Sequence, residues 1–180
     1  MIYMFLANGF EEVEALFPLD LLRRAGLDVR TVGVGSQTLT GAHGITVLAD
    51  LGEQDVVWEG LEMVILPGGM PGTNHLQACP TVQKAIDEAL ARDAYLAAIC
   101  AAPKILGERG LLKGKHATCF PGFEACLEGA LLSPDKVVCD GKLVTAAGMG
   151  VAKEFGLTLV ALLTDEDTAQ NIDRAIQSAQ

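Results

Sequence analysis

The stretch Ala97-Ala98-Ile99-Cys100-Ala101-Ala102-Pro103 decides how the chain is read. Residues 94–99 form an apolar run of strand length. Residues 101–110 read as a helix with Pro103 in its first turn, where a missing N–H costs nothing. A strand that turns into a helix at a single residue is the geometry of a nucleophile elbow. Cys100 stands at that corner, beneath N–H groups that favour a thiolate. The alternative is an inert core cysteine, since free cysteine is among the most buried residue types.

Working outward, Met63-Val64-Ile65-Leu66 is a second buried strand, and it ends in Pro67-Gly68-Gly69-Met70-Pro71-Gly72. Glycines directly after a strand let backbone approach a ligand or turn N–H groups toward an anion. Residues 2–7 read as the first strand, and Asn8-Gly9 as a turn. Residues 11–25 follow as a helix, with Val13, Leu16, Phe17, Leu21 and Ala25 at helical spacing and Gly26 as its stop. Pro18 predicts a kink or break in that helix. Glu11 and Glu12 suit the positive helix end and are expected to be solvated acids.

Residues 29–34 make another strand, followed by short extended pieces at 37–40 and 45–49. Residues 81–91 are amphipathic, with Val82, Ala85, Ile86, Ala89 and Leu90 on one face. Residues 116–120 and 137–139 are weaker strands, the latter joined to 143–146 by the hairpin signal Asp140-Gly141. Helices are expected at 151–163 and 171–178. Strands alternating with helices predict an α/β fold with a mostly parallel sheet. The site of such a fold lies at the carboxyl ends of the strands. The 8–14 turn, the Gly68-Gly69 loop and Cys100 all fall there.

Composition bounds the rest. The 180 residues suit one domain over 1–180, 50% hydrophobic and 20% charged, which excludes a disordered chain. A net charge of -10, from 23 acidic and 13 basic residues, argues against a phosphate-backbone partner such as nucleic acid. No apolar run approaches the ~20 residues of a membrane span. Residues 1–7 lack a basic flank and lead into Glu11, Glu12 and Glu14, so they read as a strand rather than a signal peptide. The five cysteines show no C-x-x-C pair and no zinc spacing with histidine, so no metal site is expected and a reducing cytoplasm fits. Cys79, Cys119, Cys126 and Cys139 read as structural, and His75 and His116 as surface or loop residues.

Together, Gly9-Phe10-Glu11-Glu12-Val13-Glu14, Leu66-Pro67-Gly68-Gly69 and Ala98-Ile99-Cys100-Ala101-Ala102-Pro103 resemble the DJ-1/ThiJ/PfpI superfamily. The likeness extends to Leu22-Arg23-Arg24-Ala25-Gly26 and to the T-x-x-G-x-G pattern starting at Thr145. The resemblance implies a flavodoxin-like three-layer sandwich, a homodimer, and Cys100 as the reactive thiol with Glu14 beside it. It also implies an oxyanion pocket from the N–H groups of Gly69 and Ala101. An ionised Glu14 would repel a thiolate, whereas a protonated one would donate to sulfur. The expectation is therefore a coupled pair with Glu14 shifted up and Cys100 shifted down from about 8.5.

Departures from the family pattern sharpen that picture. Ala101 stands where the protease-like branch has histidine, which removes a peptidase base. Phe120, before Pro121, stands where the human-type branch has histidine, as in the bacterial ThiJ/YajL branch. His43, in Gly41-Ala42-His43-Gly44-Ile45, falls where relatives carry arginine near the pocket, so His43, Gly68 and Phe120 are candidate pocket residues. Asp20 is present without its histidine partner, and Met149 replaces the usual proline between Gly148 and Gly150. The resemblance implies a slow glyoxalase III-like conversion of a small dicarbonyl such as methylglyoxal to a hydroxy acid, or deglycation of early glycated adducts, with no cofactor. The alternative is an oxidative-stress sensor or redox chaperone working through selective oxidation of Cys100.

Overall fold

The computed structural model describes residues 1–177; the last residue of the expected 171–178 helix lies outside them. In chain order the elements are β1 (Ile2–Leu6), α1 (Glu12–Arg24), β2 (Val29–Gly33), β3 (Thr38–Thr40), β4 (Thr46–Leu48), β5 (Leu51–Gly52) and β6 (Met63–Leu66). Then follow α2 (Gly72–Ala78), α3 (Pro80–Ala91), β7 (Tyr95–Ile99), α4 (Pro103–Glu108), β8 (His116–Ala117) and β9 (Leu131–Leu132). The chain closes with β10 (Val137–Asp140), β11 (Leu143–Ala146), α5 (Ala152–Leu163) and α6 (Glu166–Ala175).

Seven strands form the central sheet in the order β10-β11-β7-β6-β1-β2-β5. Its pairings are parallel except β10 with β11, which is antiparallel. Alternate strand residues feed two cores. Tyr3, Phe5, Val64, Leu66, Leu96 and Ala98 pack beneath α3 and α4. Ile2, Met4, Met63, Ile65, Ala97 and Ile99 pack beneath α1, α5 and α6. Burial on both faces explains why these strands read as continuous apolar runs. The result is the flavodoxin-like α/β sandwich that the family resemblance implied.

Two expectations are corrected. Helix α1 runs unbroken through Pro18. Its packing against α5 is close enough that a Cβ on Gly156 would stand 2.9 Å from Pro18 Cα, and that tertiary contact outweighs the local helix-breaking penalty. The helix after Cys100 is only Pro103–Glu108, shorter than expected because Ala101 and Ala102 are still in the turn. Helix α2 carries no clear apolar period and was not expected. Among the described residues no helix is long and apolar enough to cross a membrane.

Candidate active site

Adjacent parallel strands deliver the site. Strand β6 pairs with β7 on one side (Leu66 opposite Ala98) and with β1 on the other (Met4 opposite Ile65). Their carboxyl ends therefore open side by side into the Gly68-Gly69 loop, the Cys100 turn and the loop leading to Glu14.

Cys100 adopts φ +65°, a left-handed conformation that a non-glycine residue holds at a cost of about 1–3 kcal/mol. Two hydrogen bonds hold it there. Its N–H donates to Ala146 O on β11 at 2.8 Å, and its carbonyl accepts from Phe120 N–H at 2.8 Å. The strained corner turns the thiol out of the sheet, where it is only partly buried. The N–H groups of Ala101 and Gly69 donate to its sulfur, and Glu14 hydrogen-bonds it from the side.

Glu14 is 1% exposed. Its Oε2 accepts the Gly68 N–H at 3.0 Å, and the N–H of Met149 also reaches the carboxylate. Gly68 is fixed by this closeness. A Cβ there would stand 2.5 Å from Glu14 Oε2 and 2.6 Å from Cys100 Cβ. Gly69, at φ +89°, needs the left-handed region to aim its N–H.

The electrostatics of the pair differ in part from expectation. Burial, with a smaller push from the Glu11 charge, raises Glu14 to about 7 against the pull of its hydrogen-bond donors. Burial and the Glu14 carboxylate raise the Cys100 thiol to about 12, and the Ala101 and Gly69 N–H groups only partly offset them. The expected lowering of Cys100 is thus corrected, because a charged Glu14 and a thiolate cannot coexist cheaply in this site. Between about 7 and about 12 the two groups therefore hold one proton and one negative charge between them. A thiolate there requires the proton to rest on Glu14.

Glu12 overturns the expectation of a solvated acid: it is 3% exposed. The β3–β4 hairpin folds over it. Its Oε1 accepts the His43 N–H at 2.7 Å, and its Oε2 meets His43 Nδ1 at 2.8 Å. Burial works to raise Glu12, but the His43 ring and the surrounding N–H groups hold it below the usual carboxylate range. His43, expected as a candidate pocket residue, spends its imidazole on Glu12 rather than on Cys100, and Glu12 raises its pKa in turn. Glu11 caps α1, its Oε2 accepting the Glu14 N–H at 2.7 Å. Glu11, Glu12 and His43 could together hold a metal ion, with ligand atoms within 4.8 Å of one another.

The remaining residues fall as follows. Phe120 is half exposed, its ring beside Gly148. Asp20 is exposed and pairs with Arg24 at 2.6 Å. His75 meets the Asn8 carbonyl at 3.0 Å, and His116 lies 3.5 Å from Asp140. All five cysteines are free. Sequence reasoning missed the Met149 N–H donor to Glu14; the T-x-x-G-x-G pattern was its only signal.

A doubly wound sheet with a strained cysteine at a strand end and a buried acid beside it defines a cysteine-centred, flavodoxin-like α/β protein. Comparison with known proteins places it further: the model of the DJ-1/PfpI family matches residues 1–162, and the chain belongs to that family. It is 37% identical over 170 residues to protein DJ-1 homolog B of Arabidopsis thaliana, covering 93% of this chain but only 39% of that longer protein. It is 28% identical over 163 residues to a glutathione-independent glyoxalase of Caenorhabditis elegans, covering 90% of this chain and 87% of the relative. The solved structure of oxidized Toxoplasma gondii DJ-1 superposes with a TM-score of 0.94 at 30% identity, covering 99% of this chain and 98% of the other.

Proposed function

We propose that the protein is a cysteine-dependent enzyme that converts small reactive dicarbonyls to hydroxy acids. The observation that carries this reading is the aim of Cys100 and Glu14 at one point, with the Gly69 and Ala101 N–H groups beside them. The Cys100 thiolate adds to the aldehyde carbon of a compound such as methylglyoxal. The two N–H groups stabilise the resulting alkoxide. Glu14, having passed its proton to that oxygen, removes the C–H proton to give an enediolate and returns it to the neighbouring carbon, while the hydroxyl proton moves from the first oxygen to the second. The aldehyde carbon is thereby oxidised to a thioester while the ketone is reduced to an alcohol. Water hydrolyses the thioester, releasing lactate and the thiol. The same nucleophile acting on an early glycated adduct would be a deglycase. The glyoxalase named among the relatives supports this reading.

Ala101, directly after the nucleophile, offers no base for peptide cleavage, and the absence of histidine at Phe120 predicts slow turnover. The test is lactate formation from methylglyoxal. Wild type is expected to produce it, and Cys100→Ala to fall to background; a Cys100→Ala variant with full activity contradicts the proposal.

A second reading shares the thiol. The donors on Cys100 sulfur would also hold a sulfinate, so selective oxidation of Cys100 could signal oxidative stress. Mass spectrometry after mild peroxide should then find oxygen on Cys100 ahead of Cys79, Cys119, Cys126 and Cys139; uniform oxidation argues against it. The exposed Val13 on α1, with Ile45 and Leu48 of the β3–β4 region, supports a homodimer through that face.

A further inference from the structure

We propose that the mouth of the Cys100 site selects uncharged carbonyl compounds bearing an apolar or aryl group, with Phe120 as the residue that seats it. This rests on the carbonyl chemistry proposed above and names its substrate class. Three large apolar residues are exposed at positions tied through the backbone to the reacting pair. Phe120 is 46% exposed, and its N–H donates to the Cys100 carbonyl. Met149 is 53% exposed, and its N–H donates to Glu14. Met70 is 46% exposed and follows Gly69, whose N–H donates to Cys100 sulfur.

The Phe120 ring and the Glu14 carboxylate both lie against Gly148. A Cβ on Gly148 would stand 3.1 Å from Phe120 Cδ2 and 3.8 Å from Glu14 Oε1, so ring and carboxylate converge on one point. A substituent on a carbonyl carbon held at Cys100 and worked on by Glu14 has this ring within reach. Aromatic rings favour offset or edge contact with one another.

Charge selects in the same direction. The groups acting on the pair are the Glu11 charge and backbone N–H donors, and none of them is cationic. A carboxylated substrate meets the Glu11 and Glu14 acids, and among the described residues the groups that shift the pair include no Arg or Lys.

For phenylglyoxal the balanced reaction is phenylglyoxal plus water to mandelate plus one proton, with oxidation and reduction both internal to the substrate. The test compares kcat/KM for phenylglyoxal, 4-carboxyphenylglyoxal and methylglyoxal in wild type, Phe120→Ala and Phe120→Leu. Wild type is expected to favour phenylglyoxal over its carboxylated analogue by about tenfold, the low end for one apolar contact region. Phe120→Ala should lower the phenylglyoxal-to-methylglyoxal ratio by about tenfold, and Phe120→Leu by less. A ratio unchanged in Phe120→Ala, or equal use of the carboxylated analogue, overturns the selectivity while leaving the carbonyl chemistry standing. Absence of hydroxy acid from all three compounds overturns the carbonyl reading itself.

Discussion

Glu12 and Glu14 sit two residues apart in the first turn of α1, both buried, and their fates are opposite. Glu12 is answered by a histidine and by hairpin N–H groups, and stays an anion below the usual carboxylate range. Glu14 meets backbone donors and a thiol but no cation, and rises to about 7. The difference shows what separates a structural acid from a chemical one. A buried carboxylate answered by an imidazole and N–H donors fixes a loop, and one left beside a thiol keeps an exchangeable proton. Helix position alone does not decide this; the element that folds over each side chain does.

The largest expected effect breaks the chemical half of the comparison. Glu14→Gln keeps the acceptor for Gly68 N–H but cannot shuttle a proton, and should slow lactate formation by roughly 10²–10⁴-fold. Progress curves at saturating methylglyoxal check this.

The pH dependence of stability should separate the two acids next. Glu14 is raised from 4.5 to about 7 on folding. Below its unfolded value both states are protonated. As pH rises from about 4.5 to 7 the unfolded state ionises first, and stability falls by about 3 kcal/mol. Urea unfolding at pH 8 should therefore find Glu14→Gln more stable than wild type. Glu12, shifted down, has the opposite slope: its contribution is present above its unfolded value and is lost as pH falls through the folded one.

Gly68→Ala sharpens the geometry of the pair. The added methyl would collide with Glu14 Oε2 and Cys100 Cβ, so a loss of about 1–3 kcal/mol in chemical denaturation is expected, together with loss of activity.

His43→Ala, the smallest effect, removes the partner from the structural acid alone. Carboxyl NMR should show the Glu12 pKa moving up, while lactate formation stays within about twofold of wild type.

Much of this was legible beforehand, and the gaps have a common cause. The buried strands announced themselves as short apolar runs, and the elbow could be read from Ile99-Cys100-Ala101-Ala102-Pro103 because a strand and a proline-led turn meet there. Glu14 and Gly69 came from spacing shared with a family. Glu12 was misread because its burial depends on the β3–β4 hairpin, more than thirty residues on in the case of His43, and helical position says nothing of that. The Met149 donor is a backbone N–H, which leaves no mark in residue type. The direction of the Cys100 shift failed for a related reason, since it depends on which of two neighbouring groups holds the proton.

Cys100 and Glu14 share one proton between about 7 and about 12, and the rate of Cys100 alkylation by iodoacetamide as a function of pH tests this most directly. Wild type should show an inflection near 7, where the pair loses its first proton, and Glu14→Gln should lack it. An inflection that survives in Glu14→Gln, or a wild-type profile rising as a single thiol with none near 7, would contradict the account.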